Sequence, residues 1–293
     1  MTANRPSTAP LRFAGAIRTD VGCVRQLNED SVAFIASASP AQARDQGALA
    51  LVADGMGGHA AGEVASALAL EVVRRVYYSL DHAPSEALRA AFDAANRAIF
   101  DYAAKHPECA GMGTTCTALG VRDNLLWLAH VGDSRAYLLR GGRLTQLSDD
   151  QTLHAQLVRD GVMSPEDAGK GAGSNVILQA LGTRLDVEPT IWTEGLPLQK
   201  DDIAVLCSDG LTNLVSDARI AEAVSKHPPA EACRLLIEAA RDGGGHDNIS
   251  VGVFVVETDG ANQAADQAAT KRIKIADTPV GGRTAKIDAI IKG

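Results

Sequence analysis

The sequence predicts an α+β fold built on antiparallel sheets, and three observations carry that prediction. Apolar segments at 114–121, 125–131 and 136–139 follow one another with only short turns, Arg122-Asp123-Asn124 and Gly141-Gly142 among them. Strands so close in sequence pair as antiparallel hairpins. Two segments with apolar residues at helical spacing, 60–80 and 85–104, stand side by side instead of alternating with strands, so the β–α–β rhythm of a parallel sheet is missing. The run Ala48-Leu49-Ala50-Leu51-Val52-Ala53 is too short and too continuous for an amphipathic helix and reads as a buried strand.

Taken in order, residues 1–10 are polar and proline-containing, a loose leader. A strand is expected over 11–17 and another over 32–36. Between them, 19–31 is a loop dense in polar groups, where Arg25, Glu29 and Asp30 could be solvated charges that pair weakly. The buried strand from Ala48 ends in Asp54-Gly55-Met56-Gly57-Gly58-His59. The glycines allow a sharp turn and a close approach. A carboxylate at the end of a buried strand is costly unless it meets a metal or a basic partner, so Asp54 asks for one. Val64, Leu68, Val72, Val73 and Val76 then mark one amphipathic helix, and Leu88, Phe92, Ala95 and Ile99 a second that Pro84 opens.

After the hairpin strands, with Val131-Gly132-Asp133-Ser134-Arg135 in their midst, residues 149–186 change character. Short helices are expected at 151–158 and 165–168, with a glycine-rich loop at 169–173. Such an excursion is a lid, a recognition element or a plain insertion. Strands return at 187–192 and 202–207, the latter running into Ser208-Asp209-Gly210-Leu211 and repeating the apolar-run-then-Asp-Gly pattern. Helices at 216–224 and 230–240 precede Gly243-Gly244-Gly245-His246-Asp247-Asn248, and a strand follows at 249–256. From 259 to 293 the chain reads as a flexible tail, with a short amphipathic piece at 285–292. The expected organisation is therefore a leader (1–10), one domain (11–258) and a tail (259–293).

Composition excludes several classes of function. Hydrophobic residues make up 46% of the 293 and charged ones 22%, which suits a globular chain. The net charge of -8 argues against a nucleic-acid partner, which needs clustered Lys and Arg. No apolar stretch is long enough for a membrane span, and the start lacks the core of a secretory signal. The five cysteines are scattered without a C-x-x-C pair, so neither a zinc ribbon nor a disulfide framework is expected and buried free thiols are. A soluble cytoplasmic monomer is the expectation.

Carboxylates recur at strand edges: Glu29 and Asp30, Asp54, Asp133, Asp209, Asp247. Gathered together they would repel one another and need divalent cations between them. Oxygen-only ligation suits Mg²⁺ or Mn²⁺ rather than zinc. Two such ions can activate a water and clamp a phosphoryl group, and Arg25 offers the planar fork that grips phosphate oxygens.

These segments carry a resemblance. Thr19-Asp20-Val21-Gly22 through Arg25 to Asn28-Glu29-Asp30-Ser31, Val52-Ala53-Asp54-Gly55-Met56-Gly57-Gly58-His59, Gly111-Met112-Gly113-Thr114-Thr115, Val131-Gly132-Asp133-Ser134-Arg135-Ala136-Tyr137, Ala180-Leu181-Gly182, Leu206-Cys207-Ser208-Asp209-Gly210-Leu211 and Asp247-Asn248-Ile249-Ser250 resemble, in order, the motifs of bacterial metal-dependent protein phosphatases, the type 2C Ser/Thr phosphatases. The resemblance covers residues 12–257. It implies an αββα sandwich, two stacked antiparallel sheets flanked by helices on both sides, with a dinuclear Mn²⁺ or Mg²⁺ centre at one end. By the same resemblance Asp54 would bridge the two metals and the Gly55 carbonyl would bind one. Asp209 and Asp247 would complete the other. Glu29 would act through metal-bound water with Asp30 in support, Asp133 with Asp209 would hold a third ion, and Arg25 would orient the phosphate. Residues 149–186 would be the flap. Substrates would be phosphoserine and phosphothreonine proteins made by a Ser/Thr kinase. Animal relatives carry a histidine proposed as general acid where this chain has Met56, and neither His59 nor His246 inherits that role.

Three rivals stand beside this reading. Gly55-Met56-Gly57-Gly58-His59-Ala60 fits G-x-G-x-x-A after a strand, a dinucleotide-binding fingerprint of an oxidoreductase. About 20 residues on, however, Arg74-Arg75-Val76 stands where an acidic residue is wanted. A catalytically silent phosphoprotein-binding module on the same fold would be favoured by a lost ligand, yet every matched carboxylate is present. A phosphatase of a sigma-factor cascade shares the fold and the chemistry.

Overall fold

The computed structural model describes residues 11–37, 39–57, 61–164 and 176–258. In chain order, β1 (Leu11–Asp20), β2 (Asp30–Ile35), a short α1 (Pro40–Asp45) and β3 (Ala48–Met56) lead into two long helices, α2 (Ala61–Ser79) and α3 (Pro84–Lys105). Then come β4 (Gly113–Thr114), β5 (Cys116–Arg122), β6 (Leu125–Val131), β7 (Arg135–Arg140), β8 (Arg143–Gln146) and α4 (Leu153–Arg159). The chain continues through β9 (Thr190–Ile191), β10 (Leu196–Pro197), β11 (Ile203–Cys207), α5 (Asp209–Thr212), α6 (Asp217–Lys226), α7 (Pro229–Asp242) and β12 (Ile249–Thr258).

The strands form two antiparallel sheets, one ordered β1-β12-β11-β7-β8 and the other β10-β6-β5-β3-β2, with β4 against β3 and β9 against β6. Side-chain alternation builds the layers. In β3, Ala48, Ala50 and Val52 face the opposite sheet and meet Phe13, Leu206 and Phe254. Leu49, Leu51 and Ala53 face the other way, into a core shared with α2 and α3. In β11, Ala204 and Leu206 point into the sandwich, while Val205 and Cys207 meet Ile220 of α6 and Leu236 of α7. Strands covered on both faces must be apolar at every position, which explains why these runs lack alternation. The result is the αββα sandwich. Phe13, Phe34 and Phe254 lock the two sheets together, Phe13 stacking on Phe254 with ring centroids 5.2 Å apart.

Several sequence expectations need correction. The strand expected at 114–121 is two, because the chain breaks at Thr115, where its amide and the Thr114 hydroxyl bond to the Asp54 carbonyl instead of continuing the ladder. The strand expected at 187–192 shrinks to Thr190–Ile191, and 202–207 starts one residue later. α1, β8 and β10 were not anticipated. β8 pairs with β7 across Gly141-Gly142, both at positive φ, as a two-residue hairpin turn requires. The 151–158 helix begins instead at Leu153, capped by the Thr152 hydroxyl. The 165–168 helix, the 169–173 loop, His59, the leader and the tail lie outside the described residues. The antiparallel pairing of β3 with both neighbours removes the parallel β–α–β unit on which the dinucleotide reading depended.

Candidate metal centre and phosphate loop

Strand register gathers the carboxylates. Asp30 opens β2 and stands opposite Asp54 near the end of β3. β7 and β11 are paired with Arg135 opposite Cys207, so Asp133, two residues before one, and Asp209, two after the other, leave the sheet at the same end. Asp247 stands two residues before β12, whose Val251 pairs with Cys207. Antiparallel pairing thus brings five strand ends from both sheets to one edge of the sandwich.

Each carboxylate is held by its own local device. The Asp54 backbone is clamped by the threonine pair. Its N–H donates to Thr115 Oγ1 at 2.9 Å, and its carbonyl accepts from the Thr114 hydroxyl at 2.8 Å and the Thr115 amide at 2.9 Å. Gly55 must be glycine, since a Cβ there would lie 2.1 Å from the Gly62 carbonyl. Glu29 Oε1 stands against Gly62 in the first turn of α2, where a Cβ would lie 2.7 Å from it. Asp30 Oδ2 accepts from Ser250 Oγ at 2.6 Å and Ser208 Oγ at 2.8 Å. Asp209 Oδ2 accepts from the Asn213 amide at 3.1 Å, and Asp247 Oδ1 accepts from the Asn248 backbone N–H at 2.8 Å.

Electrostatics shows that these groups share one environment. Burial, then Asp30, Asp209 and Asp133, push the Asp54 carboxyl well above the ordinary range. Burial raises Asp30 to about 7 despite its two hydroxyl donors, and burial with Asp209 raises Asp133 to about 7. Asp209 is raised by burial and by Asp247. Asp30 Oδ1, Asp133 Oδ1 and Asp209 Oδ1 are buried without a hydrogen-bond partner. Buried oxygens of this kind call for a cation. Among the described residues no three such side chains close into a ready-made cage. An open, all-oxygen set suits a hard divalent ion that keeps several water ligands.

Arg25 sits at the rim on the 21–29 loop. Its Nη2 donates to Asp247 Oδ2 at 2.8 Å, and Nη1 lies 3.8 Å from Glu29 Oε2. Burial works against its charge, but Asp247, Glu29 and Asp54 more than compensate and hold it above its usual value. Half-exposed and facing three carboxylates, the guanidinium can exchange a partner for an incoming anion. Arg25, Glu29, Asp30, Asp54, Asp133, Asp209 and Asp247 therefore stand together. His246 is exposed, beside Gly244. Sequence reasoning gave no role to Ser208, Ser250 or the Thr114-Thr115 pair. The available signal was a hydroxyl placed inside or at the end of an apolar run.

Fold and site together define a class, a two-sheet sandwich with an oxygen-lined candidate cation site and an arginine for an anion. Comparison with known proteins makes the class specific. The protein phosphatase 2C family matches residues 19–156. The chain is 44% identical over 248 residues to serine/threonine protein phosphatase PstP of Mycobacterium tuberculosis, which covers 83% of this chain and 45% of that protein; it thus spans about half the length of this relative. It is 37% identical over 255 residues to serine/threonine phosphatase stp of Listeria monocytogenes, covering 85% of this chain and 97% of that one. The crystal structure of the PstP catalytic domain in complex with two manganese ions superposes with a TM-score of 0.73 at 41% identity, covering 84% of this chain and 99% of that one. The chain belongs to the protein phosphatase 2C family.

Proposed function

We propose that the protein hydrolyses phosphoserine and phosphothreonine in other proteins in one step, without a phosphoenzyme. The observation that carries the reading is the seven-residue cluster: six carboxylates from both sheets, three with an orphaned buried oxygen, and one arginine at their rim. Asp54, the Gly55 carbonyl, Asp209 and Asp247 are assigned to two Mn²⁺ or Mg²⁺ ions. Glu29 would act through water with Asp30 in support, and Asp133 with Asp209 would hold a third ion. When bound, these cations supply the Lewis acidity that acidifies a water and neutralises phosphoryl charge. The chain's own residues do the rest. Arg25 exchanges Asp247 for two phosphate oxygens and fixes the phosphoryl group for in-line attack. Ser208 and Ser250 hold Asp30 in place, and the Thr114-Thr115 clamp holds Asp54. Met56 cannot donate a proton, so no side-chain acid is assigned at that position.

The partners in this reading are phosphoproteins made by a Ser/Thr kinase, met in the cytoplasm by a monomer. Among the described residues no helix is long and apolar enough to cross a membrane. The test is phosphate release from a phosphothreonine peptide during a Mn²⁺ titration, followed by EDTA. Turnover that rises with Mn²⁺, stops on chelation and is absent from Asp54→Ala is the expected result. No turnover from folded protein at any Mn²⁺ or Mg²⁺ level would overturn it in favour of a silent phosphoprotein-binding module.

A further inference from the structure

We propose that Asn248 is the positioning residue that fixes the 21–29 loop, and with it Arg25, at the rim of the carboxylate cluster. The inference rests on the phosphate-binding role of Arg25 given above. Residues 21–29 cross from β1 in one sheet to β2 in the other without a strand partner. Their backbone groups must therefore find partners elsewhere. The Asn248 side chain supplies them at both ends of the loop. Its Nδ2 donates to the Val21 carbonyl at 3.0 Å and to the Leu27 carbonyl at 2.9 Å. Its Oδ1 accepts from the Glu29 amide at 2.8 Å. Asn248 is only 3% exposed, and both amide hydrogens and the carbonyl oxygen are used.

Of the loop's own side chains, Asn28 is tied at the far end, its Nδ2 donating to Thr19 Oγ1 at 2.9 Å, and the apolar ones do not hold the loop. Val24 is 62% exposed and Leu27 45%, so neither packs into a core. The Arg25 pair with Asp247 is half solvated, and an exposed ion pair orders little. Arg25 must also release Asp247 to take a phosphate, so that pair cannot be what positions it. Other ties lie at the two ends of the loop: the Gly22 amide donates to Asp20 Oδ1 and the Cys23 amide to the Gly245 carbonyl, while the Glu29 carbonyl accepts from the Gly55 amide at 3.2 Å and from Ser66 Oγ at 2.6 Å. Asn248 bonds the loop backbone on both sides of Arg25, at Val21 before it and at Leu27 and Glu29 after it. Because the Asn248 N–H also donates to Asp247 Oδ1, one dipeptide would set both a metal-site carboxylate and the phosphate grip. Aspartate could not substitute, because two carbonyls need two N–H donors.

Two readouts test this. In the metal-free chain of 293 residues, hydrogen exchange of the 21–29 amides should accelerate in Asn248→Ala and in the isosteric Asn248→Asp, while exchange in α2 and α3 is unchanged. In the Mn²⁺-loaded protein, Asn248→Ala should lower kcat/KM on a phosphothreonine peptide roughly ten- to a hundredfold, chiefly through KM. That loss should largely vanish in an Arg25→Ala background, since two residues acting as a unit are not additive. Unchanged exchange at 21–29 in both variants overturns the inference, as does a loss that simply adds to that of Arg25→Ala. If the wild type does not turn over, the phosphatase reading falls, and the exchange result alone still decides whether Asn248 holds the loop.

Discussion

Gly55 shows how narrowly a single residue is constrained at this site. It carries the carbonyl assigned to a cation, donates its amide to the Glu29 carbonyl at 3.2 Å, and faces Gly62 with no space between. A Cβ would fall 2.1 Å from a backbone oxygen and 2.6 Å from the Glu29 carbonyl. Neither atom is the movable end of a side chain, so β3 and the start of α2 would have to part. Overpacking of this kind costs about 1–3 kcal/mol, which in a domain of this size lowers Tm by about 2–12 °C. Gly55→Ala is therefore expected to melt lower and to need more Mn²⁺ for half-maximal activity. A thermal scan and a Mn²⁺ titration check both, and an unchanged Tm would show that the two glycines do not set the approach.

At the scale of elements, the site depends on how strand ends are tied to the segments beyond them. His130, in β6, joins three of these segments. Its Nδ1 meets the Thr117 hydroxyl of β5 at 2.9 Å and its Nε2 the Asp149 carbonyl at 3.1 Å, and the Thr117 hydroxyl lies 3.0 Å from the Ser134 carbonyl. The ring is fully buried, and burial lowers its pKa against the opposing pull of Asp150 and the Asp149 carbonyl. In the unfolded chain His130 titrates near its ordinary value of about 6.5; in the fold it stays neutral to lower pH. The unfolded state then binds more protons, so stability is full above about pH 6.5 and falls as pH drops, by at most about 1.4 kcal/mol per pH unit for one group. The difference in Tm between wild type and His130→Gln, followed from pH 8 to pH 5, should shrink on the acid side. A constant difference would mean that His130 does not titrate differently in the two states. The same element-scale view shows what the sequence could reveal. Asp54, Asp209 and Asp247 were visible because each ends or begins an apolar run, and the hairpins were visible because Asp123-Asn124 and Gly141-Gly142 accept positive φ. The break at Thr115, the shortness of β9 and the Asn248 ties were not visible. They depend on partners 60 to more than 200 residues away, and no local pattern encodes such a distance.

For the whole molecule, the carboxylate cluster sets stability against function. The sandwich holds five strand ends in register whether or not anything neutralises their charge, so folding carries the burial and mutual repulsion of Asp30, Asp54, Asp133 and Asp209. A bound cation offsets that cost, and its whole stabilisation by linkage is about 2.7 kcal/mol for each site at a hundredfold excess over Kd. Mn²⁺ is accordingly expected to raise Tm by about 5–10 °C per site filled, given 2–4 °C per kcal/mol in a domain of this size. The sharper consequence is a change of sign. Asp54→Asn keeps the shape of the side chain and removes one charge from the cluster, so in EDTA it should melt above the wild type. In Mn²⁺ it should melt below, because the residue assigned to bridge both ions is gone and the cation-induced shift is lost with it. Scanning calorimetry of the two proteins in each condition decides the matter. A variant less stable than wild type in EDTA as well would mean that Asp54 is held by its hydrogen bonds more than it is opposed by its neighbours. The repulsion would then not be what makes the site ready for a cation.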